Sequence, residues 1–189
     1  MKKCFTVLLA ASLALTLALS LIGCGGEKDL ESAKSLVKEG DIKYDEVETA
    51  KANLEQKQTE IAKVLMTGDT SALTPGQMEQ TKKEVEEIVS KIGADLITAK
   101  ASYEQVLQLE GVQKYKDYAS KMIEVIEKNQ ELLDQVEVLI AKFMQMMTSG
   151  AKPDLTTILE SEEMQKINEL TEEIDALMDE ASKLKKDLK

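Results

Sequence analysis

The sequence contains no histidine and no tryptophan, and all 24 of its positively charged residues are lysines, so it has no arginine either. Without histidine it lacks the commonest general base and the commonest transition-metal ligand. The Glu-x-x-His motifs of di-metal helical bundles are excluded for the same reason. Without arginine there is no planar fork to clamp a carboxylate or phosphate in bidentate fashion. The 24 lysines face 35 Asp and Glu residues, a formal charge of -11. That is the wrong sign for nucleic acid, which needs a basic footprint. Aromatic residues make up 3% of the chain, and no segment alternates polar and apolar side chains as a half-buried strand would. There are only two prolines, Pro75 and Pro153, which leaves long stretches free to be helical.

What is present begins with an address. Lys2 and Lys3 precede an uncharged apolar run from Phe5 to Ile22, 18 residues long. This length suits either a long signal-peptide core or a short membrane anchor. Leu21-Ile22-Gly23-Cys24 resembles the lipobox of bacterial lipoproteins: an aliphatic residue, then small residues, then an obligatory cysteine. The resemblance covers the first 24 residues. It implies cleavage by signal peptidase II before Cys24 and a diacylglycerol group on the Cys24 thiol. The other reading is an uncleaved N-terminal anchor, and both tether the body at its N-terminus. Cleavage would divide the chain into a signal peptide (1–23), a lipidated tether (24–28) and a body (29–189). It would leave 22 lysines against 35 carboxylates and Cys24 as the one cysteine. Disulfides and cysteine zinc sites are then excluded, and the body must be held by its apolar core.

The body is rich in Glu, Lys, Leu, Ala, Gln and Met, all good helix formers. It is punctuated at Met66–Gly76, at Gly111 and at Ser149–Asp154, and both prolines fall in these breaks. Thr74-Pro75 reads as a helix start and Ser149-Gly150 as a stop. In the last segment Glu162, Glu163, Glu172 and Glu173 precede Lys183, Lys185, Lys186 and Lys189, the order that complements a helix dipole. Apolar residues recur at steps of three and four. The second segment reads Val85, Ile88, Ile92, Leu96, Ala99, Tyr103, Val106. The third reads Tyr115, Tyr118, Met122, Val125, Asn129, Leu132, Val136, Leu139, Phe143, Met146. The fourth reads Ile167, Leu170, Ile174, Leu177, Ala181, Leu184, Leu188. The first is weaker, with Gly40 placed to bend or interrupt it. These patterns predict an all-α protein with helices at about 29–66, 75–110, 112–148 and 155–188. Each would be roughly 40 to 57 Å long at 1.5 Å per residue. The short breaks and heptad spacing predict an antiparallel up-down-up-down four-helix bundle with coiled-coil-like packing. A dimeric coiled coil is the competing arrangement, so the expected state is a monomer or a weak homo-oligomer.

The inventory for catalysis is thin. A nucleophile needs an adjacent base, and neither a Cys dyad nor a Gly-x-Ser-x-Gly motif is present. The pairs Glu86/Glu87, Glu162/Glu163 and Glu172/Glu173 point in different directions on a helix and read as solvated faces. No catalytic residue and no bound cofactor are expected. Two clusters emerge from the predicted topology. Met66, Met78, Met144, Met146, Met147 and Met164 gather at the pole far from the tether. They read as plastic core packing, as an adaptable partner surface, or as a soft Cu(I) site, although Met146 is turned away from Met144 and Met147. Tyr103, Tyr115 and Tyr118 gather at the pole near the tether. They read as a staple for the helical hairpin or as an interfacial contact with headgroups or a peptide. Asn129 sits on the apolar seam as a register-setting residue.

A lipobox followed by a charged all-α body of this size is similar in plan to cell-wall-binding helical lipoproteins of Gram-positive bacteria. No body motif carries that likeness, so it transfers no residue and no ligand. The expectation is a non-enzymatic lipoprotein of the cell envelope, held to the outer face of a membrane by its lipid. In a two-membrane source the outer membrane is the other address. An unidentified envelope protein or the cell wall would be its partner, and the alternative role is a ligand or metal carrier.

Overall fold

The computed structural model describes residues 26–67, 75–148 and 160–188, without the side chains of 64–67, 75, 144 and 146–148. Four helices account for nearly all of them: α1 (Gly26–Thr67), α2 (Pro75–Leu107), α3 (Gln113–Thr148) and α4 (Glu162–Lys186). The signal segment, Cys24, Thr74 and the 149–154 break lie outside the described residues. Among those described, no helix is long and apolar enough to cross a membrane.

α1 is continuous through Gly40, so the glycine does not interrupt it. A Cβ at Gly40 would stand 2.7 Å from Tyr103 Cζ. The position is glycine because a tyrosine ring occupies the space a side chain would need. α2 ends at Leu107, a turn earlier than the sequence suggests. Gly111 then adopts φ 71°, the left-handed conformation glycine tolerates without strain. The Val112 carbonyl accepts from the Tyr115 and Lys116 N–H groups and opens α3. α4 begins later than the sequence placed it. Ser161 is extended at φ -67°, ψ 152°, and its side chain accepts from Met164 N–H. An extended residue cannot belong to a helix running through it, so Ser161 fixes the start. Glu162 and Glu163 in the first turn and Lys183, Lys185 and Lys186 in the last complement the dipole as expected.

The helices pack against one another: α1 on α2, α2 on α3, α3 on α4, with a lesser contact between α1 and α3. Cross-helix pairs between α1 and α2 join late residues of one to early residues of the other. Asp29 meets Glu110, Asp41 meets Tyr103, Glu46 meets Lys91 and Lys57 meets Glu84. The same inversion relates α3 to α4, through Lys114 with Asp187, Lys121 with Glu180, Lys128 with Glu173 and Lys142 with Glu163.

The buried core follows the heptad seam. Ala33, Val37, Tyr44, Val47 and Leu54 of α1 meet Val85, Ile92, Leu96, Ala99, Tyr103 and Val106 of α2 within it. Tyr115, Tyr118, Met122, Val125 and Ile126 of α3 and Ala181 of α4 complete it. Full burial of a leucine or phenylalanine-sized side chain contributes about 1.5–3 kcal/mol, so Leu96, Tyr103 and Ile126 carry much of the stability. Asn129 is buried and satisfied. Its Nδ2 donates to the Tyr44 hydroxyl at 3.2 Å and the Val125 carbonyl at 2.9 Å, and its Oδ1 accepts from Lys51 at 3.2 Å.

Candidate functional site

Asp41 engages a side chain on each of the three other helices. It follows Gly40 on α1 and leans toward the space between the helices. Its Oδ1 accepts from the Tyr103 hydroxyl of α2 at 2.8 Å and from the Tyr118 hydroxyl of α3 at 2.6 Å. Its Oδ2 pairs with Lys185 Nζ of α4 at 2.9 Å. One carboxylate thus ties together all four helices. The two tyrosine rings meet edge to face, 6.0 Å between centroids at 84°. The Lys185 ammonium also stands 5.8 Å from the centre of the Tyr118 ring, within range of a cation–π attraction.

The electrostatics are those of a fastening. Tyr103 is fully buried, and burial, followed by its negative neighbours, pushes its phenol far above the ordinary tyrosine range. Burial also raises Tyr118, with Asp41 as a hydrogen-bond acceptor adding to it. Both phenols are therefore neutral donors at physiological pH, and an ionised carboxylate is the acceptor that suits them. Tyr44 is raised mainly by burial as well. Among the described residues no buried side-chain polar atom lacks a partner.

The sequence grouped Tyr103, Tyr115 and Tyr118, and the structure brings all three to the end that holds the Gly111 turn. Tyr103 and Tyr118 pack on each other. Tyr115 lies apart, its hydroxyl 3.5 Å from the Leu188 carbonyl. The rings are 0%, 9% and 2% exposed in chain order. All three rings are buried in the core, and what faces outward at this end is charged. Of the methionine cluster, Met78 and Met164 are half-buried. The side chains of Met66, Met144, Met146 and Met147 lie outside the described residues, as does Cys24.

Sequence reasoning missed Asp41 and Lys185. The signal was slight: an acid directly after a seam glycine, on a helix whose polar face is full of acids. A second polar network joins α1 and α2. Lys43 and Lys91 both pair with Glu46 and with Asp95, which is 7% exposed. Its lysines are raised and Glu46 is lowered, chiefly by these mutual hydrogen bonds. Being mostly exposed, the network contributes modestly to stability. A shallow groove of about 410 Å³ between α3 and α4 is lined by Glu124, Glu127, Lys128, Glu131 and Glu173 over Ala176 and Leu177. Its glutamates are each paired with a lysine. Among the described residues, no three acidic or cysteine side chains converge to hold a metal ion. No family model, no curated protein and no solved structure matches this chain.

Proposed function

We propose that this chain is a non-enzymatic lipoprotein of the bacterial cell envelope, anchored through Cys24 on the outer side of a membrane, that serves as a rigid interaction module. The lipobox Leu21-Ile22-Gly23-Cys24 supports the anchoring. A single acyl chain binds membranes only marginally, so the double chain of a diacylglycerol group is the anchor that would hold. The observation that carries the structural role is the Asp41 tie. A carboxylate that engages a partner from each other helix, beside two buried phenols, holds a bundle end in one arrangement.

The finer architecture belongs to the same proposal. The inverted residue pairing along α1–α2 and α3–α4 supports an antiparallel up-down-up-down bundle with shallow, coiled-coil-like packing. Its 66–76 and 149–154 connections would then project away from the tether, where a partner in the envelope meets them.

Two experiments test this reading. Cys24→Ala should abolish acylation and leave an unprocessed precursor on immunoblots, whereas unchanged processing and lipid labelling would overturn the anchoring. A photo-crosslinker at Thr70 should give a discrete adduct in living cells that the same probe at Lys183 does not. Adducts absent from Thr70, or shared equally with Lys183, would overturn the interaction role.

A further inference from the structure

The lysines of this protein fall into two groups. Along the body they are paired with carboxylates, as in Lys57 with Glu84, Lys100 with Glu127, Lys121 with Glu180 and Lys128 with Glu173. At the end that gathers the start of α1, the turn before α3 and the close of α4, Lys34 and Lys185 are paired, with Glu31 and Asp41, and the others are not. Lys28, Lys116, Lys183 and Lys186 have no carboxylate partner among the described residues, and three of these four are exposed, Lys116 being half-buried. Lys114 bonds only to the Asp187 carbonyl. Elsewhere in the described residues, Lys38 and Lys63 alone share this condition. The three segments are held at one level by Asp29 Oδ2 accepting from Glu110 N–H and by Tyr115 bonding to the Leu188 carbonyl. Some carboxylates at this end already serve protein donors, Asp29 in that bond and Asp117 with Gln113. Glu27, Glu110 and Asp187 remain, and Asp29 and Asp117 keep their charge against neutral donors, so the end is mixed in sign, while the body carries the acidic surplus.

Resting on the anchored reading above, we propose that this end is a docking surface for anionic phospholipid headgroups, and that the bundle stands upright on the bilayer with Lys28, Lys116, Lys183 and Lys186 on the lipid phosphates. The anchor sets the distance. Cys24 is two residues before Gly26, where α1 begins, and two residues span at most about 7 Å. Surface charge is felt over about 8 Å at physiological salt, so these ammonium groups lie within the field of the lipid. The bulk of the acidic surplus does not. Glu131, for instance, is 18 residues into α3, about 27 Å up the helix. Standing upright, the bundle presents unpaired lysines and screens its acids. Lying flat, it would press those acids on a surface of like charge.

The test is a lysine footprint on the intact lipidated protein. It would be reconstituted in phosphatidylcholine vesicles with or without about 30 mol% phosphatidylglycerol, bracketing the anionic content that gives a surface potential. Acetylation by a membrane-impermeant reagent would be read residue by residue by mass spectrometry. Lys28, Lys116, Lys183 and Lys186 should react at least about threefold more slowly on the anionic vesicles, with Lys63 and Lys83 unchanged. The protection should vanish at about 0.5 M salt, where screening is twice as short. Equal rates on both vesicles would overturn the docking, and protection of Lys63 and Lys83 as well would overturn the upright stance. Protection in whole cells but not on vesicles would assign the surface to a wall polymer or protein and overturn the lipid. The same spectra report the acyl group on Cys24. Its absence overturns the anchored reading itself, which keeps the two failures distinct.

Discussion

On the side of the bundle that holds the Gly111 turn, α3 buries Val112, Tyr115, Tyr118, Ala119, Met122, Val125, Ile126 and Asn129. Past Asn129 the same helix keeps its heptads, yet Leu132, Val136, Leu139, Ile140 and Phe143 are all half-exposed, and Val138 more so. The other helices change at the same level. α1 has no buried side chain after Leu54 and α2 none before Val85 among those described, and α4 none before Leu170. The polar ties differ too. The first region is held by a half-buried carboxylate with three partners, the second by surface pairs such as Lys57–Glu84 and Lys142–Glu163. Apolar periodicity is equal in the two regions, so periodicity alone does not set the quality of a core. What distinguishes them is a niche, Gly40, that lets an aromatic ring in, and a half-buried acid that anchors it.

Six substitutions and a change of pH would break that comparison or sharpen it. Tyr103→Ala removes the largest fully buried side chain of the first region and should cost about 3–5 kcal/mol in urea unfolding. Leu139→Ala, in the second region, should cost no more than about half of that, since its side chain is half-exposed already. Equal losses would mean that the two regions are equally well packed. Asp41→Ala leaves two phenols and an ammonium without their acceptor and should cost about 2–4 kcal/mol. Hydrogen exchange should then quicken in α4 around Lys185 as well as in α1, because the tie reaches both.

Alkali should act on the first region through its phenols. Tyr103, Tyr118 and Tyr44 are all raised above the ordinary value of 10.0. The unfolded chain releases their protons above about pH 10 while the folded chain retains them, so their contribution is whole below that pH and is lost as pH rises past it. Stability should fall by up to about 1.4 kcal/mol per pH unit for each such tyrosine. Tyr118→Phe should flatten the slope by one group's share, and an unchanged slope would refute the burial assigned to it.

The smallest change makes the cleanest contrast. Alanine gains up to about 1 kcal/mol over glycine inside a helix. At Gly76, where a Cβ meets nothing within 4 Å, that gain should appear. At Gly40 the Cβ would stand 2.7 Å from a ring pinned by Asp41. Overpacking costs of about 1–3 kcal/mol should outweigh the gain there. Opposite signs in thermal melts are expected, and a stabilising Gly40→Ala would show that the ring has room to move.

Much of this fold was legible from residue types and spacing. The four helices, the turn at Gly111 and the seam residues from Val85 to Val106 follow from steps of three and four and from where glycine and proline fall. The start of α4 was misplaced because its serine cap at Ser161 lies inside a run of good helix formers, where nothing in composition marks a break. Asp41 was hidden for a different reason. Its partners are far along the chain, and one aspartate among so many surface acids shows no local sign of being enclosed. Gly40 was read as a possible bend because its reason for being glycine belongs to Tyr103. The tyrosine grouping was sound as a location, while the burial that decides its use depends on packing that periodicity does not report.

The tie at Asp41 also imposes an order of assembly. A chain made from its N-terminus presents Asp41 first, then Tyr103, then Tyr118, then Lys185. α1 to α3 can close the two phenol bonds while α4 is still absent, and the ammonium seals them on arrival. The last turn of the protein is therefore its latch. A chain truncated shortly before Lys185 would have most of its helices and lack the bond that fastens the fourth to the first.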